Sequence, residues 1–505
     1  MKRVALITLT ALLIASLGIM VLPTQPAKAE LVLEVHPGES IQAAIDAAIE
    51  AGGGTVNLIQ GIYYRGEPDT ILYIAPPEYH GQDPDHDVSH LNIIGIGATL
   101  DDLSAWHKGE TVSGSVLESP IFIYEADYEI KVQGLGLFGK ELDHIYAAIY
   151  VENSNPVISD CVVHYGKESG NGGGMVNLDS SPTVNNTIFF DCYVGSKSGE
   201  RTCGGAMYND DASPTLYNCM FLYNSATTYN PGGLVLPGGG AIANKDSSVT
   251  LINCTLGYNF TSELGGGIYN DGGSSSTLVN CIMWGNRKGE KYGEKVLDNI
   301  YGNATVTYSD IEGGWDGEGN IDEEPMFVDT EWGEPEDWLV DFRLLPDSPC
   351  IDIGNNEAVL GLLDKDFEGD PRIYNDIVDM GADEYVPETE LVAATVDFKP
   401  DTLNLGSKGR WITAYIELPE GYDVNDINIE SVELEGLVEA EDSPTNVGDY
   451  DDDGVTDLMV KFDRASVQEI LDAGDEVAIT VTGELTGGMP FEGTDTIRVI
   501  DKGKK

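Results

Sequence analysis

Basic side chains are scarce in this chain: 27 Lys and Arg stand against 86 Asp and Glu among 505 residues. All seven histidines lie before residue 165, and no long apolar run follows the first 22 residues. The net charge of −59 argues against partners held by simple attraction to anions, so nucleic acid and anionic membrane surfaces are poor partners. An acidic polysaccharide such as pectate would be repelled as well, unless calcium bridged it. Divalent cations, or a salty medium in which acidic surfaces stay soluble, suit such a chain better. The lack of a second apolar span leaves no expected transmembrane segment beyond the N-terminus.

That N-terminus has the layout of an export signal. Lys2 and Arg3 precede an apolar run from Val4 to about Leu22, and Ala27-Lys28-Ala29 is a small-x-small cleavage site before Glu30. Removal of residues 1–29 is expected, with a retained anchor as the alternative. The mature chain then carries 24 basic against 86 acidic residues, a net −62. A secreted or cell-surface location follows as the expectation.

A single phrase dominates the middle of the chain. A glycine cluster leads into a short apolar strand ending in Asn: GGGMVN (172–177), GGAMYN (204–209), GGGAIAN (238–244) and GGGIYN (265–270). Asn177, Asn209, Asn244 and Asn270 are spaced by 32, 35 and 26 residues. Between them run strands closed by Asn or Asp and then Cys: Cys161, Cys219, Cys254 and Cys281, with Thr187 in one copy. A unit of this size buries its apolar face only by stacking on its neighbours. The expected fold is therefore all-β: a parallel β-helix of roughly nine to eleven coils.

The cysteine positions read as an inward stack of small side chains more than as a disulfide framework. Coils about 4.8 Å apart would let Cys219–Cys254 or Cys254–Cys281 bridge, but not both. Cys192 and Cys203, flanking one loop, are an alternative pair. The Asn ladder, with Asn303 as a further candidate member, and the column Asp160, Asn186, Asn218, Asn253 and Asn280 are expected to stack inside the coils. The sequons at Asn253 and Asn259 are accordingly weak glycosylation signals.

Ser40 is a plausible N-cap for a short helix with Ile41, Ala44, Ile45 and Ala48 on one face, ended by Gly52–Gly54. Such a helix closes the open end of a solenoid. This opening, SIQAAIDAA…GGGTVNLIQGIY, resembles the start of right-handed parallel β-helices of the pectate-lyase superfamily. GGGAI (238–242), FLYN (221–224) and LGYN (256–259) are similar to repeats of polymorphic outer-membrane proteins. Residues 308–385 resemble the closing segment of secreted β-helix proteins. The resemblance covers about residues 36–387 and implies a fold, not an activity.

The domain organisation expected is a signal at 1–29, a right-handed parallel β-helix at 30–387 with its closing segment at 308–387, and a second unit at 388–505. From Val392 the pattern changes to alternating strands: 394–398, 411–418, 427–434, 458–463, 476–485 and 495–500, with a short helix at 465–471. That spacing predicts an Ig-like β-sandwich.

Within it lies DYDDDGVTD (449–457). Asp449, Asp451 and Asp453 occupy positions 1, 3 and 5 of a calcium loop, Gly454 makes the turn at 6, Val455 offers its carbonyl at 7, and Asp457 sits at 9. The loop is similar to those of dockerins and integrin-type propellers, but Val460 stands where a bidentate Glu belongs. A structural Ca2+ is the expected cofactor.

Other clusters carry weaker signals. Asp210 and Asp211 are similar to the paired carboxylates of polygalacturonases, yet Asp211 is repeat-equivalent to Asp179 and Asp246, a turn-forming position. The Gly-His-Gly and Arg-x-Lys pieces of those enzymes are absent. A lyase base would fall to Arg201 or Lys197, and no Arg-x-Pro-x-x-Arg pattern accompanies them. His80, His86 and His90, among Glu78, Asp83, Asp85 and Asp87, read as a solvated excursion more readily than a zinc site. Tyr208, Tyr217, Tyr223, Tyr258 and Tyr269 recur on the repeats, where outward-facing rings would form a strip able to stack on sugars.

The leading expectation is a monomeric, non-catalytic surface protein that binds extracellular polysaccharide or a cell-envelope component. A polysaccharide lyase or glycoside hydrolase working in the groove is the alternative, and a structural spacer the third.

Overall fold

The computed structural model describes residues 31–501, apart from 64–70, 76–87, 109–110, 139–146, 165, 168–169, 197–201, 229–237, 290–294, 332–339, 388–390, 442 and 452. The chain divides into two compact units, Met1–Val386 and Pro387–Lys505. Among the described residues no helix is long and apolar enough to cross a membrane.

The first unit is a parallel β-helix. Its described strands stack into sheets of ten, nine, eight and six strands; the middle coils contribute in turn to the eight-, ten-, nine- and six-stranded sheet, and the described strands of the earlier coils only to the other three. One coil runs through Met175–Leu178, Thr183–Asn185, Ile188–Phe190 and Tyr193–Ser196. Pairing is parallel and in register, as in Met175 with Met207 and then Ile242. A single antiparallel partner, Lys295–Leu297, ends the six-stranded sheet.

Turning a coil requires left-handed backbone at each corner, and the repeat supplies it. Gly172, Gly204, Gly239 and Gly265 form one corner; Asp179, Asp211 and Asp246 the next; Asp160, Asn186, Asn218, Asn253 and Asn280 the third; Asp191, Tyr223 and Tyr258 the fourth, with φ from 45 to 72°. Asn and Asp tolerate this region because their short side chains bond locally. At the first corner only glycine fits: a Cβ on Gly204 would collide with the carbonyl oxygen of Met207, three residues on.

The interior is apolar with two polar seams. Ile158, Val184, Leu216, Leu251, Leu278 and Val306 stack in one row and are all buried. In the first seam Asn177 donates to Asn209, Asn209 to Asn244 and Asn244 to Asn270, each at 2.8 Å. Asn270 ends it by donating to Ser276 Oγ and to the backbone carbonyl of Asn303. The Asn303 side chain, expected in this ladder, is exposed on the ten-stranded sheet instead. A second seam, Asn224, Asn259, Asn286 and Asn299, was not expected; each amide donates to the next at 2.9 Å. The sequon residues Asn253 and Asn259 are both fully buried.

All seven cysteines are free and buried. Cys161, Cys219, Cys254 and Cys281 share their column with Thr187 and Ser309, and all six point the side-chain donor at the carbonyl two residues back. A small donor at a tight corner is what the position requires, which is why Cys, Thr and Ser interchange there. Cys192 and Cys203 do not pair. Cys192 stands in line with the second asparagine seam, its N–H donating to Asn224, whereas Cys203 bridges Asn171 and Gly238 at the glycine corner.

The N-terminal opening is closed by α1 (Ile41–Glu50). Ser40 Oγ accepts from Ala43 N, and Ile41, Ile45, Ala48 and Ile49 are buried over the first coils. A second helix, α2 (Leu100–Lys108), sends Leu103 into a cluster with Val116, Phe138 and Val162 on the outer face of the nine-stranded sheet. The sequence gives little sign of it, because few apolar residues mark its buried side.

The closing segment does more than close an end. Trp315 packs against the core and Asn320 Nδ2 donates to the carbonyl of Val306, covering the last coil. The chain then folds back along the nine-stranded sheet, where Phe342 packs with Phe190, Met220 and Leu222. Asn218, Asn253 and Asn280 donate to the carbonyls of Lys365, Asp379 and Asn355.

This returning segment has almost no ladder of its own, so its buried N–H groups need other acceptors. Carboxylates provide them. Asp366 Oδ1 accepts from the backbone of Glu368, Gly369 and Asp370, each at 2.9 Å. Asp379 accepts from Asp352 and Tyr385, and Asp383 from Leu344. Arg372 lies among them, bonded to Glu384 at 2.8 Å and to the carbonyls of Ala382 and Asp383.

Asp310 gives this packing a pH signature. It is fully buried, accepts from Glu323 N at 3.2 Å and lies 3.4 Å from Cys350 Sγ. Burial, opposed by the Glu323 bond, pushes its carboxyl up to about 7. A carboxyl raised in the folded state holds a proton that the unfolded chain releases near pH 4, so stability falls as pH rises towards 7. The thermal midpoint should drop between pH 5 and pH 8, and Asp310→Asn should flatten part of that slope. An unchanged slope in the variant would remove Asp310 as its source.

The second unit is a β-sandwich. Thr395–Lys399, Trp411–Glu417, Asp457–Asp463 and Asn446–Gly448 make the smaller sheet. The larger is built on Ile427–Leu434, Gly474–Leu485 and Pro490–Ile500, with Val392–Ala393, Thr402–Asn404 and Val438–Glu439 beside them. Phe398, Phe462 and Phe491 fill the space between them. The short helix α3 (Arg464–Ile470) is capped by Asp463.

Candidate functional site

The outer face of the eight-stranded sheet carries an aromatic row. Tyr73, Phe122, Tyr150, Val176, Tyr208, Ala243, Tyr269 and Tyr301 are register partners from coil to coil. Strand alternation turns all of them outward, because their neighbours Ile121, Ile149, Met207, Ile242 and Ile268 are buried in the core. Two residues along each strand runs a second row: Tyr124, Glu152, Leu178, Asp210 and Lys245.

The rings pack on one another. Phe122 stacks on Tyr150 with centroids 5.0 Å apart and planes at 19°, and Tyr269 on Tyr301 at 5.4 Å and 4°. Tyr73 tilts against Phe122 at 5.6 Å and 43°. Exposure is greatest at the two ends, 49% for Tyr73 and 44% for Tyr301, and only 8% for Tyr208 in the middle. The phenols are hydrogen-bond donors: Tyr150 to Glu152 and Tyr208 to Asp210, both at 3.1 Å. Burial, then the neighbouring carboxylate, pushes Tyr150 up to about 12 and raises Tyr208 as well.

This arrangement assigns the candidate acids. Asp210 lies on the outer face, its two oxygens each 2.9 Å from Lys245 Nζ. With Tyr208 also donating to it, its carboxylate is engaged on both sides. Asp211 forms the left-handed corner, equivalent to Asp179 and Asp246, and its N–H donates to the carbonyl of Lys245. Arg201 and Lys197 lie outside the described residues, as do His80, His86 and the acids between 78 and 87. His90 is described, at the start of a strand with Nδ1 3.0 Å from Ser89 Oγ.

Not every expected tyrosine faces outward. Tyr223 and Tyr258 stack at 5.3 Å, but Phe342 of the closing segment meets both edge-on. Their hydroxyls donate to Thr330. They serve the fold. Tyr217 lies on the ten-stranded sheet, beside Val359 and Leu362. Tyr73, Phe122, Tyr150 and Tyr301 were the aromatic residues missed, since the coils bearing the first three lack the glycine phrase that marks the repeat.

In the sandwich, the acidic loop joins Asn446–Gly448 to Asp457–Asp463. Gly454 turns it at φ 93°, and the Gly454 and Val455 N–H groups donate to Asp449 and Asp453. Asp449, Asp451 and Asp453 bring one carboxylate oxygen each to within 4.8 Å of one another. Asp451 and Asp457 form a second such group with Glu417, a residue the loop motif does not include. Glu417 reaches it through strand pairing, directly opposite Asp457. Its pKa is raised by burial first, and then by Asp453, Asp457 and Asp451. This donor set, all oxygen and mostly charged, fits a hard cation, with Asp449, Asp451, Asp453, Asp457 and Glu417 as the residues to hold it. Glu417 supplies the further carboxylate that Val460 cannot.

No family model and no curated protein matches this chain, so what the two sites do must be argued from their own geometry.

Proposed function

We propose that this is an extracellular, non-catalytic recognition protein that binds glycans on the outer face of the eight-stranded sheet. In this reading Ca2+ in the sandwich loop is structural. The observation that carries it is the row of aromatic rings on this outer face, apolar surfaces of the kind that suit the C–H faces of sugar rings. The leader-like residues 1–29 support export. Asp210, tied to Lys245 and Tyr208, is poorly disposed to serve as acid or base, which weighs against hydrolysis at this face. A glycan array probed with the full chain, with and without calcium, tests the reading; silence on every glycan would leave a structural spacer as the better account.

The calcium reading has its own test. A chelator should lower the stability of the sandwich, and added Ca2+ should restore about 3 kcal/mol of it at a hundredfold excess over Kd. Asp451→Ala with Asp453→Ala should abolish that response, and Glu417→Gln should weaken it. Unchanged calcium stoichiometry in the double variant would contradict it.

A further inference from the structure

We infer that the closing segment is a pH-governed cover: it opens from the nine-stranded sheet as one unit, more often as pH rises from 5 to 8, while the coils beneath stay wound. The two layers are held by different means. Interior coil strands are bonded by parallel ladders on both sides. The returning residues 340–385 have one described strand, Asp341–Leu344, and it pairs with Phe327–Asp329 of the same segment. They rest on the coils through Phe342 and Met380, and through separate bonds such as Gly381 N to the carbonyl of Asn280 and Ala382 N to Thr255 Oγ1. A layer with so little ladder opens at lower cost than the coils do. Opening uncovers Phe190, Met220 and Leu222, together with the Tyr223–Tyr258 stack.

Charge makes the cover sensitive to pH. Asp310, Asp366, Asp379, Asp383 and Glu384 are all buried, and among the described residues Arg372 is the one buried cation. Their hydrogen bonds rank them. Asp366 accepts from four backbone N–H groups, Asp379 from two, and Glu384 from two as well as from Arg372. Asp310 and Asp383 are the least provided, with one backbone N–H each: Glu323 at 3.2 Å and Leu344 at 2.7 Å. Asp310, on the last coil, faces Asp322 and Glu323 from the loop that follows and Cys350 from the segment above it. Asp383 faces Asp366, Glu368, Arg372 and Arg343, all of the segment itself. Burial pushes both carboxyls up to about 7, as it does Glu384. Closed, they hold protons at pH 5; opened to water, they return to the ordinary carboxylate range and release them. Opening therefore becomes easier as pH rises to about 7 and levels off above it.

Cys350 reports the opening, because it is buried in the segment beside Asp310, whereas Cys219, Cys254 and Cys281 lie inside the coils. The test reacts the full chain with dithiodipyridine from pH 5 to pH 8 and locates modified thiols by mass spectrometry. Each rate is divided by that of the denatured chain at the same pH, which removes the titration of the thiol itself. The normalised Cys350 rate should rise at least about tenfold over that range, with Cys219, Cys254 and Cys281 unreacted throughout. Asp310→Asn with Asp383→Asn, which leaves both positions uncharged, should bring the pH 8 rate down towards the pH 5 rate. A flat Cys350 rate, or coil thiols that react in step with it, overturns the inference on the unaltered chain alone. A rise that the double variant keeps in full overturns it as well.

Discussion

Replacing Arg372 with Met should destabilise the β-helix unit by about 3–5 kcal/mol, the usual cost of removing one partner from a buried ion pair. Arg372 and Glu384 have side chains only 2% and 1% exposed. Asp366, Asp379 and Asp383 are buried in the same closing segment. Without the guanidinium, Glu384 is left among buried carboxylates with no cation, and the carbonyls of Ala382 and Asp383 lose their donor. The pH dependence identifies the cause. Burial pushes Glu384 and Asp383 up to about 7 and Asp379 to about 6. These groups take up protons in the folded state as pH falls from 8 to 5, so the deficit of the variant should shrink over that range. Arg343→Met, which removes an exposed pair with Asp341, should cost no more than about 1 kcal/mol. Equal losses in the two variants, measured by thermal unfolding, would mean that Arg372 does not organise the closing segment.

Asn209→Leu should cost about 2–6 kcal/mol. The substitution keeps the volume but removes a fully buried amide from the middle of a seam. Asn177 Nδ2 then has no acceptor and Asn244 Oδ1 no donor, and each buried orphan costs about 1–3 kcal/mol. Asn177 is least able to adapt, since its Oδ1 already lacks a partner; Val151, its register neighbour on the preceding coil, offers none. Thr215→Val, on the outward side of the ten-stranded sheet, should stay within about 0.5 kcal/mol. A loss below 1 kcal/mol for Asn209→Leu would show that the seam is not a continuous bonded ladder.

Much of the fold was legible because corners leave a stronger mark on sequence than strands do. A left-handed residue must recur wherever the chain turns, so Gly204, Asp211 and Asn218 repeat with the coil, whereas Met207 and Leu216 need only be apolar. The second seam was harder to read. Asn224 and Asn259 lie inside FLYN and LGYN, but Asn299 enters after 13 residues instead of a full coil, because Lys295–Leu297 folds back antiparallel on Arg287–Gly289 before the winding resumes.

Glu417 was out of reach for a different reason. It joins the acidic loop by antiparallel pairing with Asp457, and strand register cannot be read from a loop motif. The closing segment showed its composition but not its route. Its carboxylates accept from the backbone N–H groups of Glu368, Tyr374 and Leu344, roles set by a route that composition does not reveal. The aromatic row was only half visible: Tyr208 and Tyr269 repeat in the glycine phrase, whereas Tyr73, Phe122 and Tyr150 belong to coils without it.

In this protein the chemistry-bearing residues of the repeat build the coils, and the proposed role of the outer face is to bind sugar without altering it. Incubating the full chain with a panel of neutral and acidic polysaccharides, with calcium present, measures both halves at once. The protein should be retained on at least one polysaccharide, with no new reducing ends and no ultraviolet absorbance from unsaturated uronates. Release of either product, lost in Asp210→Asn, would contradict it and make this face an active site.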